Sequence, residues 1–356
     1  MKKHRTIKIS VAFLCIIAAI SATYIASAEV YSDTKGANSW ILDTDTGVLT
    51  ISGTDMTSDY IGYQFAPHSE YTLLRDYVTR VEISKGIPAI SGLNYPNMKT
   101  ATIPDSVTEI GHGTFSGCTS LTEIVIPNSV TILGENDTYY GSVFYDCVNL
   151  KNVTLSNQLT SIPSKTFSGC ESLTEITIPD SVIRIDHDAF RDCTSLSKVS
   201  LPNSIKSIGH TAFMKCESLT EIKIPSLVST IGYNTFAYCT SLESITIPAK
   251  VTEIGENAFN ECYNLSTVNY EGTPEQWNKI KIMSGNSAIT SATINYNYYE
   301  SSEEQAVTFE GHDTNKNEDK NNRVHSETNS NGFIIISVTA IVSVAAIVIV
   351  IIIKRK

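Results

Sequence analysis

The sequence lacks the residue patterns that most catalytic sites require. It contains no serine or cysteine nucleophile grouped with a histidine and an acid, and no glycine loop of the kind that cradles phosphate. It also contains no paired metal-ligand motif. The sequence therefore predicts a protein that is not an enzyme, with no catalytic, cofactor-binding or metal-binding residues.

Basic side chains are scarce between the two ends of the chain. The chain has 26 Lys and Arg against 37 Asp and Glu, and residues 1–28 and 354–356 hold seven of the basic ones. The remainder carries 19 basic and 37 acidic side chains, a net charge near −18. Such a surface repels nucleic acid and anionic membranes, so we expect neither as a binding partner.

Residues 1–28 have the composition of a secretory signal peptide. A basic start is followed by the apolar stretch from Val11 to Ile20 and by the small residues Ala26-Ser27-Ala28. This order predicts cleavage before Glu29; an uncleaved anchor is the alternative.

The other end of the chain has the composition of a membrane anchor. Residues 333–353 are 21 residues without a charge, enough for a transmembrane helix, and the basic tip 354–356 should stay cytoplasmic. Residues 300–332 are polar and predict a disordered linker. No L-P-x-T-G precedes the apolar run, so sortase attachment is not indicated. We expect a single-pass protein of the cell membrane with a monomeric extracellular part.

The middle of the chain is a repeat with a period of 23 residues. The pattern L-x-x-I-x-I-P, then V-x-x-I-G, then A-F-x-x-C is clearest between Leu173 and Phe236. About nine turns, over residues 78–270, start at Val78, Met98, Leu121, Leu150, Leu173, Leu196, Leu219, Leu242 and Leu265. Because one turn cannot bury its apolar side alone, this period predicts a mainly β solenoid with short turns between strands.

Alternation along each strand decides which side chains face the core. Ile176 and Ile178 should point inward, whereas Glu175 and Thr177 should point outward. The proline after the strand ends it, because it cannot donate a ladder hydrogen bond. The glycine of each Ile-Gly pair, as at Gly209, suits a tight bend. The phenylalanines should stack as a column inside the solenoid.

Both ends of the repeat need caps, because a solenoid otherwise exposes its core to water. Residues 29–77 predict an N-terminal β cap with two short strands, 40–43 and 48–51. Residues 271–299 predict a C-terminal cap. In it, Thr273-Pro-Glu-Gln276 is a capping box that should start a helix running to about Ile282, with Trp277 and Ile280 covering the last turn.

Cysteine and histidine recur at fixed repeat positions. Seven cysteines follow the phenylalanines, and we interpret them as a buried, reduced column; adjacent Cβ atoms would run parallel at about 4.8 Å, which disfavours disulfides. Disulfides and metal binding are the alternatives. His112, His187 and His210 share another position, with Asp186 and Asp188 nearby. A metal site is conceivable there, but that position varies among turns, which favours solvated side chains.

The repeat pattern resembles the BspA-type (Treponema-type) leucine-rich repeat family over residues 78 to 271. The flanks are similar to those of bacterial members: the stretch from Trp40 to Gly53 looks like their opening and the stretch from Asn269 to Ile280 like their close. The resemblance implies a leucine-rich repeat scaffold on the surface of a bacterium, Gram-positive by its flanks, used for adhesion or protein binding.

We therefore expect the outward side chains of the strands to bind a protein or glycan partner on a host or neighbouring cell. These residues are Glu123, Val125, Asn152, Thr154, Glu175, Thr177, Lys198, Ser200, Glu221, Lys223, Ser244 and Thr246. One turn carries an insertion, 135–140, with Tyr139 and Tyr140 as further candidates; it is either a contact site or a tolerated surface loop. The alternative function is a structural spacer or assembly component of the cell surface.

Overall fold

The computed structural model describes residues 30–35, 38–54, 72–134, 143–298, 327–328, 334–337 and 350–353. The chain divides into two compact units, residues 1–300 and 301–356. The predicted signal peptide, the basic tip 354–356 and the insertion 135–140 lie outside the described residues. So does the predicted linker 300–332, apart from two residues.

The N-terminal end of the first unit is a small mixed sheet. Its strands β1 (Val30–Lys35), β2 (Asn38–Asp43) and β3 (Val48–Ser52) are antiparallel neighbours. The pair β2–β3 matches the two predicted strands, whereas β1 was not predicted. A 3-10 helix, Thr72–Tyr77, follows. β3 then pairs in parallel with the first strand of the repeat, which joins the cap to the solenoid through backbone hydrogen bonds.

The repeat folds as the predicted β-solenoid, with two short strands in each turn. The first strands are β4 (Arg80–Ile83), β6 (Thr100–Thr102), β8 (Glu123–Val125), β10 (Asn152–Thr154), β12 (Glu175–Thr177), β14 (Lys198–Ser200), β16 (Glu221–Lys223), β18 (Ser244–Ile247) and β20 (Thr267–Tyr270). The second strands are β5 (Ala89–Ile90), β7 (Glu109–Ile110), β9 (Ile132–Leu133), β11 (Ser161–Ile162), β13 (Arg184–Ile185), β15 (Ser207–Ile208), β17 (Thr230–Ile231), β19 (Glu253–Ile254) and β21 (Lys281–Ile282).

Columns of identical side chains form the core. Rings from Phe115 to Phe259 are fully buried and stack on their neighbours with centroids 5.2–5.5 Å apart, which confirms the predicted column. Each such pair is worth about 0.5–1.5 kcal/mol beyond its buried area. The backbone follows the same column: the N–H of Phe190 bonds the carbonyl of Ala212 one turn on, at 2.8 Å.

At Gly209, the glycine is required by close approach of the turns rather than by the bend itself. A Cβ on Gly209 would lie 2.6 Å from the backbone of Asp186 and His187 in the preceding turn. No side chain larger than hydrogen fits there without moving the backbone.

The C-terminal cap replaces the turn that would come next. The capping box at Thr273 is confirmed, but helix α1 spans only Pro274–Trp277. The expected extension to Ile282 is wrong, because Lys281–Ile282 instead pairs in parallel with β19. A second short helix, α2 (Ser287–Ser291), leads into β22 (Thr293–Tyr296), which pairs with β20.

The strand ladders are continuous except at particular interfaces between turns. First strands pair as β4–β6, β8–β10, β12–β14 and β16–β18–β20–β22, and second strands as β5–β7–β9, β11–β13–β15 and β17–β19–β21. Most interfaces between turns therefore keep at least one ladder. The interface between the turn of Leu196 and the turn of Leu219, whose residues are all described, has neither. We call this interface the seam.

A residue change coincides with the seam. In earlier turns a serine links neighbours: Ser181 Oγ donates to the Leu159 carbonyl at 2.6 Å, and Ser204 Oγ to the Val182 carbonyl at 2.7 Å. The equivalent position across the seam is Leu227, which cannot donate and is 39% exposed. Backbone bonds of the phenylalanine column still cross the seam, such as Phe213 N–H to the Thr235 carbonyl at 2.9 Å.

We expect Leu227→Ser to stabilise the protein, because it supplies the missing donor and removes an exposed apolar side chain. A net intramolecular hydrogen bond contributes about 0.5–1.5 kcal/mol, so the denaturation midpoint should rise accordingly. Ser204→Leu, which removes the same bond one turn earlier, should lower the midpoint. If Ser204→Leu destabilises the protein and Leu227→Ser leaves it unchanged, the seam is not limited by this bond.

The described residues of the second unit form three short strands. β23 (Glu327–Thr328), β24 (Ile334–Ser337) and β25 (Val350–Ile353) pair antiparallel. The described parts of 333–353, Ile334–Ser337 and Val350–Ile353, are thus strands, and the rest of the predicted transmembrane segment lies outside the described residues. Across the described residues, no helix combines the length and apolar character needed to cross a membrane.

Candidate functional site

The outward side chains of the first strands form one surface, which we call the strand face. Parallel register places equivalent residues side by side: Glu175 is paired with Lys198, and Thr177 with Ser200. The same register holds between β8 and β10 and between β16 and β18. The strand face is therefore two parallel rows of unlike side chains on a fixed backbone.

The predicted site residues differ in how accessible they are. All the predicted strand residues from Glu123 to Lys223 are exposed, and Val125 is 62% exposed despite being apolar. Ser244 is half-buried, and Thr246 is only 7% exposed. The expectation that Thr246 is an open contact residue is thus corrected: its register neighbours Lys223 and Asn269 are both longer and flank it on the two sides.

The strand face extends further toward the C-terminus than the sequence indicated. Thr267 and Asn269 of β20 and Thr293 and Asn295 of β22 continue the two rows in register. Asn295 Nδ2 donates to Asn269 Oδ1 at 2.9 Å, which fixes this end of the outer row. The shared pattern Thr-Val/Ile-Asn-Tyr at 267–270 and 293–296 was the available signal, but it lies beyond the 23-residue period.

A depression of about 480 Å³ lies in the middle of the strand face. Its lining is Asn152, Val153, Thr154, Leu155, Glu175, Ile176, Thr177, Pro179, Lys198 and Ser200. Its position coincides with the interface where β10 and β12 belong to separate ladders. The face is therefore not flat at its centre, and half of the predicted strand residues border the recess. Tyr139 and Tyr140 lie outside the described residues.

The cysteines form the packed column that the sequence predicted. All seven from Cys118 to Cys262 are free and buried. Each thiol from Cys147 onward donates to the carbonyl of the phenylalanine one turn back, as from Cys193 Sγ to Phe167 O at 3.0 Å. Burial raises the pKa of every one of these thiols, to about 12 for Cys118 and Cys262. A thiol held protonated in the core is neither a nucleophile nor a metal ligand.

The histidine pair is structural in its geometry. The rings of His187 and His210 stack with centroids 5.1 Å apart. His187 Nδ1 accepts from the backbone N–H of His210 at 3.0 Å, and His210 Nδ1 accepts from that of Tyr233 at 2.9 Å. Since Nδ1 is an acceptor, the proton of the neutral ring is on Nε2, which leaves Nε2 without the lone pair that a metal needs.

In the part of the chain that the structure describes, no three His, Cys, Asp or Glu side chains are placed to hold one ion together. What the described surface does offer is an extended, exposed and chemically varied face on a parallel β-solenoid. Solenoids of this kind typically serve as binding scaffolds.

A comparison with known protein families agrees with a repeat solenoid. A family model described as BspA type leucine rich repeat region matches residues 93–171 and 137–266, in six copies. The repeat region of the chain belongs to this family.

Several solved structures are similar to the chain. The leucine-rich repeat protein TpLRR of Treponema pallidum is 26% identical, with 64% of this chain and 86% of that chain covered and a TM-score of 0.43. A leucine-rich cell surface protein of Faecalibacterium prausnitzii is 24% identical, with 72% and 98% covered and a TM-score of 0.30. The pneumococcal vaccine antigen PcpA is 17% identical, with 63% and 58% covered and a TM-score of 0.38. No curated protein matches the chain.

Proposed function

We propose that this chain is a non-enzymatic binding protein displayed at a bacterial cell surface, and that it recognises a protein or glycan partner through the strand face. The observation that supports this most is the contrast between the two sides of the first strands. Inward positions repeat the same apolar residues, whereas the outward rows hold carboxylates, amides, hydroxyls, ammonium groups and one exposed valine. A surface of varied groups on a rigid backbone is suited to specific recognition.

We further propose that residues 333–353 attach the protein to the membrane. In a bilayer all backbone polar groups must be satisfied within the segment, so an apolar run of 21 residues is expected to be helical there. The basic tip would then face the cytoplasm. A chain ending at residue 332 should move from the cell surface into the medium; retention on the cells would reject this anchor.

Alanine substitution of exposed strand-face residues tests the binding function. The full-length protein carrying Thr154→Ala, Thr177→Ala, Ser200→Ala and Lys223→Ala should lose at least about tenfold in capture of its partner, because these side chains are removed from the centre of the face. Its melting temperature should change little, since exposed positions contribute within about 0.5 kcal/mol. Capture is measured against immobilised matrix proteins and glycans in parallel.

The matched control alters exposed residues elsewhere on the solenoid. The control variant carries Lys206→Ala, Glu217→Ala and Lys250→Ala. These three positions are exposed and lie off the strand face, so this variant should retain capture of the partner. Equal capture by the two variants would reject the strand face as the binding surface. Failure of the wild-type protein to capture any component would favour a structural spacer.

A further inference from the structure

The depression in the strand face lies over an interruption of the backbone ladder. β10 pairs with β8 and β12 with β14, but β10 and β12 lie in different sheets. Between 151–155 and 174–178, which are all described, no backbone hydrogen bond is made. The two turns are held together elsewhere, for example by Asp186 N–H to the Ile162 carbonyl at 2.9 Å. The gap is thus confined to the strand face.

The direction of the existing bonds shows which peptide groups face the gap. The Thr154 carbonyl accepts from Ile126 N–H on the β8 side, and the Ser200 carbonyl accepts from Ile178 N–H on the β14 side. Since successive residues of a strand direct their peptide groups to opposite edges, those of Val153, Glu175 and Thr177 are directed into the gap. Peptide groups in a recess require partners that both donate and accept.

Two opposite charges border the same recess. Glu175 and Lys198 are register neighbours and both are exposed. Neither forms an ion pair with another described residue, although their neighbours on the solenoid, such as Asp192 with Lys215, do. The recess therefore offers one anionic and one cationic group, each available to a charge of opposite sign.

The size of the recess fits a short segment of a larger partner. A volume of about 480 Å³ falls within the roughly 300–1,000 Å³ that is usual for ligand sites. The floor contributes Val153, Leu155, Ile176 and Pro179, and the rim contributes small hydroxyl and amide side chains. Neutral sugars would satisfy the hydroxyls but leave both charges unpaired, and acidic sugars would pair only with Lys198.

We infer that this recess binds an extended peptide segment that carries a basic side chain toward Glu175 and an acidic side chain toward Lys198, with main-chain groups meeting the unpaired peptide groups of β10 and β12. A peptide supplies donors, acceptors and both charges in one ligand of this size. This inference rests on the proposed binding function and specifies the class of partner.

The inference that the recess binds a peptide is tested by selecting from a displayed library of random twelve-residue peptides against the full-length protein. Enriched peptides should contain at least one Lys or Arg together with at least one Asp or Glu. A fluorescein-labelled peptide from the selection should bind at least about tenfold more weakly to the double variant Glu175→Gln, Lys198→Gln, because both neutral amides keep the shape and lose the charge. The variant Glu217→Gln, Lys206→Gln, altered elsewhere on the surface, should bind within about twofold of the wild type.

Three results would overturn the inference: no enrichment, enrichment without regard to charge, or equal binding to the Glu175→Gln, Lys198→Gln variant. A glycan array, run in parallel with the peptide selection, distinguishes failure of the peptide inference from failure of the proposed binding function. Glycan binding lost in the strand-face alanine variant would keep the binding function and reject the peptide. No binding by the wild type to peptides, proteins or glycans would reject both.

Discussion

Raising the pH through about 9 to 10.5 is expected to unfold the repeat region in a narrow range, because burial raises the pKa of all seven core thiols in the folded state. In the unfolded chain the thiols have a pKa near 8.5. Each thiol thus binds its proton more tightly when folded, so its contribution to stability is complete below that value. The contribution is lost as the pH rises toward the folded-state pKa, about 12 for Cys118 and Cys262.

The free energy of unfolding is expected to depend steeply on pH because the contributions of the thiols add. Each thiol lowers the free energy of unfolding by about 1.4 kcal/mol per pH unit above its unfolded pKa. For seven buried thiols the sum is about 10 kcal/mol per pH unit, comparable with the roughly 5–15 kcal/mol that stabilises a whole domain. A protein with exposed cysteines would show no such dependence.

Denaturant titrations between pH 7 and 10 under reducing conditions measure this slope. Cys193→Ser is the matched variant, because the hydroxyl can keep the bond to the Phe167 carbonyl but does not ionise in this range. Its slope should be lower by about 1.4 kcal/mol per pH unit than that of the wild type. In the native protein at pH 8 a thiol reagent should react with none of the seven cysteines. Reaction of several thiols before unfolding would contradict the buried column.

Asn286→Ala is expected to destabilise the C-terminal end of the solenoid by about 3–5 kcal/mol, the cost of leaving several buried polar groups unpaired. Asn286 is 4% exposed, and its Oδ1 accepts from Phe259 N–H at 3.0 Å. Elsewhere that N–H bonds the backbone of the following turn, so the asparagine side chain stands in for a turn that is absent. Its Nδ2 also donates to the carbonyls of Gly255 and Met283, at 2.8 and 2.9 Å.

Thermal and urea unfolding of the full-length variants measure this loss. Asn286→Asp keeps the acceptor but not the donors, so it should lie between the wild type and Asn286→Ala at pH 7. Asn264→Ala, at an exposed position of the last turn, should change the free energy of unfolding by less than about 0.5 kcal/mol. A similar loss for Asn264→Ala and Asn286→Ala would mean that the side chain of Asn286 does not replace a turn.

The columns of core side chains were predictable because each column recurs at the same repeat position in several turns. Leucine, isoleucine, phenylalanine and cysteine at fixed spacing determine which side of each turn is buried. The sequence gives weaker information where the period ends. Lys281–Ile282 was read as the end of a helix, since a capping box at Thr273 starts one, but pairing with β19 ended that helix after Trp277. Asn286 could not be recognised, because its role exists only once Phe259 is next to it.

The sequence was sufficient to predict which side chains of the strand face point outward, but not which of them are covered or where the face is recessed. Alternation correctly placed Glu175 and Lys198 on the outside, as the structure shows. It could not show that Thr246 is covered by its longer neighbours, because burial of an outward residue depends on the side chains of two other turns. Nor could it show the gap between β10 and β12, since both strands have ordinary sequences and only their pairing differs.

The seam between the turns of Leu196 and Leu219 also bears on how the solenoid opens. Repeat proteins are stabilised by the sum of contacts between adjacent turns, so the weakest interface sets the boundary between cooperative units. With no ladder on either strand row at the seam, the turns before it and those after it should behave as two such units. In hydrogen exchange, amides on the two sides would then fall into two classes of opening free energy.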